Sequence, residues 1–185
     1  PSRVFLVGPM GSGKSTIGKQ LAAALGLAFQ DSDHEIQRRT GVDIPTIFAF
    51  EGEAGFRARE KAVIDALTAV DGQVLATGGG VILDSDNRRV LSSRGVVVYL
   101  HCSPEQQYRR TSHDRNRPLL QTEDPLQRLR DLMAVRDPLY RETADFVVST
   151  EKRAAAAVVK EIVRLLEERG RGYQVLDRRD LSVGA

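Results

Sequence analysis

The sequence predicts an α/β protein, a parallel sheet covered by helices on both faces. Two observations carry this. Short apolar runs of strand length alternate with stretches whose apolar residues recur at helical spacing. The runs are apolar at nearly every position, as strands buried on both faces require. In addition, three of the strands lead into glycine or aspartate, and in such sheets ligands bind beyond the carboxyl ends of the strands. The 185 residues are 41% apolar, carry a net charge of +2 and include one cysteine. That length suits a single domain with its own core. The near-neutral balance implies no nucleic-acid and no membrane partner. No apolar run approaches the roughly 18 residues of a membrane span. Cys102 alone can form no intrachain disulfide and no multi-cysteine metal site, which points to a reducing cytoplasm. The first residues read straight into a strand, with no signal peptide.

Taken in order, "RVFLV" (Arg3–Val7) is the first strand, ending at Gly8. "STIGKQLAAALG" is a helix that stops at Gly26, a C-terminal cap. "LAFQD" is the second strand, and "HEIQRRTG" opens a second helix. Asp43 to Val70 is helical in pattern but broken by Gly52 and Gly55. "QVLAT" (Gln73–Thr77) is the third strand and is followed by Gly78, Gly79 and Gly80. "GVVVYLHC" is the fourth and most hydrophobic, and "DFVVS" (Asp145–Ser149) the fifth. "AAAAVVKEIVRLLEER" is a final amphipathic helix, and residues 170–185 follow it without strong periodicity.

Gly8, Gly13, Lys14 and Ser15 satisfy the pattern G-x-x-x-x-G-K-[ST], placed between a strand and a helix as the pattern demands. Glycines let backbone N–H groups turn inward around phosphate oxygens. The helix N-terminus adds positive potential. Lys14 reaches the β- and γ-phosphates in such a loop, and the Ser15 hydroxyl ligates Mg²⁺. Strand two ends in "DSD". In an extended chain Asp31 and Asp33 point to one side, and two such charges beside a polyphosphate need compensation. Mg²⁺ with its waters would compensate Asp31. A substrate hydroxyl would donate to Asp33, which could orient it or accept its proton. The same residues also read as a helix N-cap.

Arg57 sits near Phe48, Phe50 and Phe56, with Glu60 three residues on, close enough on a helix to hold it. Arg136 lies in "AVRDPLY" and follows a helical segment. Arginine beside aromatic residues suits a pocket that grips a planar anion; the plain alternative is two surface arginines. From Arg109 to Pro118 four arginines face one aspartate. This stretch reads as a basic lid over about 111–124, or as a solvated loop. His34 is an early-helix residue, and Tyr140 is read as packing.

In order, "GPMGSGKST", "DSD", "FEGEAGFR", "ATGGG", "RPLL" and "RDPLY" resemble the shikimate kinase family over about Arg3 to Arg169. The resemblance implies a P-loop kinase fold, similar to nucleoside monophosphate kinases, with five parallel strands in the order 2-3-1-4-5. It makes residues 1–169 one domain, with a substrate-binding segment at about 32–60 and a tail, 170–185, of no assigned role. It implies transfer of the γ-phosphoryl of ATP to the 3-hydroxyl of shikimate with Mg²⁺, by a monomer. Gly11, Ser12, Gly13, Lys14, Ser15 and Thr16 would hold the ATP phosphates, with Ser15 and Asp31 on the metal. Asp33 would hold the ring hydroxyls and act as base. Arg57 and Arg136 would take the carboxylate, and Gly78, Gly79 and Gly80 would offer backbone N–H groups. Lys14 and Arg117 would serve the transferring phosphate, Arg110 the nucleotide, and Arg153 the purine. Two rival readings remain, another acid kinase of this architecture, such as a gluconate kinase, and a nucleotide-binding regulatory protein without turnover.

Overall fold

The computed structural model describes residues 2–112 and 122–180, with side chains to residue 170. Five strands, β1 (Arg3–Val7), β2 (Ala28–Asp31), β3 (Gln73–Ala76), β4 (Val96–His101) and β5 (Phe146–Ser149), form one parallel sheet in the order β2-β3-β1-β4-β5. Both faces are covered because each central strand is apolar on both. On β1, Val4 and Leu6 face helices α1 (Lys14–Leu25) and α7 (Ala155–Asp180), packing with Ile17, Leu21, Val158 and Ile162. Phe5 and Val7 point the other way. They pack with residues of α3 (Ile44–Thr68), α4 (Ser85–Arg94) and α6 (Pro125–Thr143). β4 divides likewise, with Val98 and Leu100 on one side and Val97 and Tyr99 on the other.

The register brings the motifs together. Leu6 pairs with Ala76, and Asp31 pairs with the same Ala76 from the other side. Gly8, Asp31 and Thr77 therefore leave the sheet at one edge. Thr77 is tied to β1 there, its hydroxyl donating to the Leu6 carbonyl at 2.8 Å.

Three details differ from the sequence expectations. Gly52 does interrupt α3, with φ 71° and ψ −177°, but the chain is helical again through Gly55. Arg57 thus lies early in the second helical stretch. Arg136 lies inside α6, which continues through Pro138, rather than after a helical segment. The last helix does not stop at residue 169; its backbone runs on to Asp180 through Gly170 and Gly172, with no proline to break it. Residues 181–185 lie outside the described residues.

Candidate active site

After β1 the chain turns through Gly11 and Gly13, with φ of 79° and 89°, values that glycine adopts without strain. A Cβ at Gly11 would also press on the Gln107 backbone at 3.1 Å. α1 begins with no side-chain cap, so its first N–H groups and its dipole favour an anion. Lys14 Nζ folds over the loop and donates to the carbonyls of Gly8 (2.6 Å) and Pro9 (2.8 Å). Arg110, on helix α5 (Pro104–Thr111), donates to the Gly11 carbonyl at 2.9 Å.

Ser15 Oγ donates to Asp31 Oδ2 at 2.7 Å. Asp31 Oδ1 accepts from the backbone N–H groups of Asp33 (2.9 Å) and His34 (3.2 Å) and so caps helix α2 (Ser32–Thr40). Capping and a place beside Ser15 fall to different oxygens of one carboxylate. Contrary to the sequence expectation, Asp31 and Asp33 do not share one side of an extended strand. The helix starts at Ser32, so Asp33 lies in its first turn and meets the β3 loop instead. A Cβ at Gly78 would stand 2.8 Å from Asp33 Oδ1 and 3.0 Å from Glu60 Oε2. Only a glycine admits both carboxyls so close.

Glu60 is 1% exposed. Burial pushes its carboxyl up to about 7, with Arg57 opposing the shift and Asp33 adding to it. Its Oε1 accepts from Arg57 Nη1 at 3.0 Å, while Oε2 has no hydrogen-bond partner among the described residues. Arg57 lies 5.1 Å from the Phe56 ring centroid, and Phe48 packs on Phe56. Phe50 instead points to solvent, 87% exposed. Arg136 is 4% exposed. Burial lowers its tendency to hold a proton, and nearby Arg57 acts in the same direction. The two guanidiniums meet at the glycine turn. Arg136 Nη1 is 3.6 Å from where a Gly79 Cβ would be, and a Cβ at Gly80 would overlap the Arg57 guanidinium. Two cations brought this close and partly desolvated favour an anion between them.

A cleft of about 480 Å³ gathers Gly11, Gly13, Lys14, Ser15 and Thr16 with Asp31, Asp33, Gly78, Gly79 and Arg110. Arg57, Arg136 and Gly80 stand behind its Gly79 end. Ser12 is buried within the loop. Arg153 is outside the cleft wall, paired with Glu161 at 2.5 Å and donating to the Ser149 carbonyl at 2.9 Å. Arg117 and most of the expected lid lie outside the described residues. Sequence reasoning missed two features. The burial of Glu60 is set by elements remote in sequence. The Tyr140 hydroxyl does more than pack, since it donates to the Gly79 carbonyl. Its spacing from Arg136, one helical turn, was the only signal available.

A family profile described as shikimate kinase matches residues 10–167. The chain belongs to the shikimate kinase family. A shikimate kinase of Halorhodospira halophila is 60% identical over 167 residues, covering 90% of this chain and 94% of that protein. Among solved structures, a shikimate kinase from Acinetobacter baumannii in complex with shikimate superposes with a TM-score of 0.89 at 52% identity, covering 91% of this chain and 94% of that one. A gluconokinase from Sinorhizobium meliloti matches with a TM-score of 0.55 at 18% identity over 93% of this chain and 97% of that one, a likeness of fold alone. The sheet order implied by the family resemblance is the order observed. Membership in the shikimate kinase family sets the gluconate-kinase reading aside.

Proposed function

We propose that this chain transfers the γ-phosphoryl group of ATP to the 3-hydroxyl of shikimate, giving shikimate 3-phosphate and ADP. The observation that carries the reading is the convergence, at one sheet edge, of a phosphate cradle, the Asp33 carboxylate and two guanidiniums flanking Gly79–Gly80. The cradle loop and the α1 N-terminus bind the triphosphate. Lys14 exchanges its two loop carbonyls for phosphate oxygens. Arg57 and Arg136 hold the acid's carboxylate, which sets the ring's hydroxyls against Asp33. Asp33 orients the attacking hydroxyl and takes its proton, positioning being the larger part of phosphoryl-transfer catalysis. Arg110 adds positive charge at the transferring group, as would Arg117, which lies outside the described residues, and Arg153 would leave Glu161 to take the purine.

Ser15 and Asp31 would hold Mg²⁺. Their oxygens are already adjacent at 2.7 Å, and among the described residues no group of three His, Cys, Asp or Glu is placed to bind a metal. One carboxylate and one hydroxyl suit Mg²⁺, which is bound largely by water and substrate phosphates; bound there, it neutralises phosphate charge. The enzyme acts as a cytoplasmic monomer in this reading, without nucleic-acid or membrane partners. Cys102, buried as a thiol, suits a reducing compartment, and no described helix is long and apolar enough to cross a membrane.

A coupled ADP-release assay tests the reading. Release should require both shikimate and Mg²⁺, stop with chelator, and be absent with gluconate. ADP release equal with and without shikimate would refute the acceptor, and full activity in chelator would refute the metal.

A further inference from the structure

Tyr140 lies in α6 one turn after Arg136 and is fully buried. Its ring packs on Tyr99 with centroids 4.8 Å apart. Tyr99 is fixed in turn by its own hydroxyl, which donates to Asp137 at 2.7 Å. Packing therefore asks only for the Tyr140 ring, which phenylalanine would supply without burying a polar atom. The hydroxyl nonetheless donates to the Gly79 carbonyl, 61 positions away in sequence. The Arg136 guanidinium faces the same hydroxyl and opposes the effect of burial on it.

The Gly79 carbonyl and the Gly80 N–H belong to one planar peptide unit and point in opposite directions. Holding the carbonyl therefore aims the N–H. The same peptide separates the two guanidiniums, with Gly79 against Arg136 and Gly80 against Arg57. Two consecutive glycines have no side chains to restrain them and reach more backbone conformations than other residues, so this turn needs an external hold. We propose that Tyr140 is a positioning residue for the acid substrate: its hydroxyl fixes the Gly79–Gly80 peptide and Arg136 in the arrangement that receives a carboxylate. The inference rests on the reading that Arg57 and Arg136 bind the acid, and it adds the group that pre-organises them.

The test compares Tyr140→Phe, Tyr99→Phe, Arg136→Ala and the Tyr140→Phe/Arg136→Ala double variant with the wild type, by equilibrium binding of shikimate and by steady-state kinetics. Tyr140→Phe should weaken shikimate binding about five- to tenfold, the scale of one lost hydrogen bond to a positioned group. The KM for ATP should stay within about twofold, and kcat at saturating acid should change less than the KM for the acid. Tyr99→Phe removes a neighbouring buried hydroxyl that does not touch Gly79, and should leave acid binding within about twofold. The double variant should lose less than the product of the single losses, since both act on one arrangement. Amide resonance shifts should centre on residues 78–81, and 4-aminophenylalanine at position 140, which keeps a donor, should recover most of the affinity. If Arg136→Ala weakens acid binding at least about tenfold while Tyr140→Phe leaves it unchanged, the role of Tyr140 is overturned and the acid site stands. If neither weakens it, the acid site itself is overturned and this inference with it. Should Tyr140→Phe not fold, the aminophenylalanine protein decides, since acid affinity far below wild type with the donor kept would also overturn the proposal.

Discussion

Asp33 and Glu60 bring two carboxyls to one glycine, yet their surroundings give them different work. Asp33 lines the cleft, while Glu60 is buried behind it on Arg57. Asp33→Asn keeps the shape and removes the charge. Its kcat should fall roughly 10²-fold or more, the scale of general-base catalysis, with the KM for ATP within about threefold; a kcat within about threefold of wild type would mean Asp33 is no base. Glu60 titrates in the folded protein near 7 rather than 4.5, because burial disfavours its charge. The native state thus binds the extra proton between those values. This contribution to stability is constant below about pH 4.5, declines as pH rises, and is fully lost above about pH 7. Glu60→Gln is neutral throughout. Its Tm relative to wild type should therefore rise between about pH 5 and about pH 8, and a difference that stays flat would mean Glu60 is ionised across that range. Lys14, Ser15 and Asp31 were legible in the sequence because their spacing is local and tied to a strand and a helix start. The pairing of Glu60 with Arg57 was legible too, three residues apart on a helix, but the burial of Glu60 and the Tyr140 contact across 61 positions were not, because they exist only once the chain is folded.

The glycine turn after β3 is where separate elements join in one site: α3 supplies Arg57, α6 supplies Arg136 and Tyr140, and α2 supplies Asp33. Gly80 has φ −98° and ψ 9°, which alanine adopts without the left-handed penalty. A methyl group there would instead displace the Arg57 guanidinium. Gly80→Ala should keep the Tm within about 3 °C, since backbone and core are untouched. It should raise the KM for shikimate about fivefold or more through the displaced charge-assisted contact. Calorimetry and kinetics on the same preparation check both, and an unchanged acid KM would separate Arg57 from the substrate. β1, β3 and β4 were readable because burial on two faces leaves an unbroken apolar run; the edge strands β2 and β5, exposed or half-buried at most positions, were read from their place in the alternation. α4 was not readable, since of its two buried residues only Leu91 is apolar, with Val90 half-buried beside it, too few to show a helical period. The span of α6 was obscured by Pro138, which removes a backbone donor and ordinarily argues for a helix end.

For the molecule as a whole, alternation of strand and helix gave the class, and the family resemblance rather than periodicity gave the strand order. The match to the family ends at residue 167. Among the residues of α7 whose side chains are described, the buried hydrophobic ones, Val158, Val159, Ile162 and Leu166, all precede that point. Removing residues 171–185 should leave activity unchanged and the Tm within about 5 °C; a larger drop would show that the end of α7 packs on the core.

In the proposed reading an acid is chosen because Arg57 and Arg136, 79 positions apart in sequence, close on one carboxylate. The most direct measurement is a double cycle, wild type and Arg136→Ala, each assayed with shikimate and with its carboxamide. Wild type should favour the acid strongly. Arg136→Ala should raise the KM for shikimate at least about tenfold, leave the KM for ATP nearly unchanged, and discriminate less between acid and amide. The coupling free energy should be about 1.5–3 kcal/mol, that of a charge-assisted hydrogen bond. A coupling near zero would mean that Arg136 does not touch the carboxylate, and the acid-binding end of the site would have to be placed elsewhere.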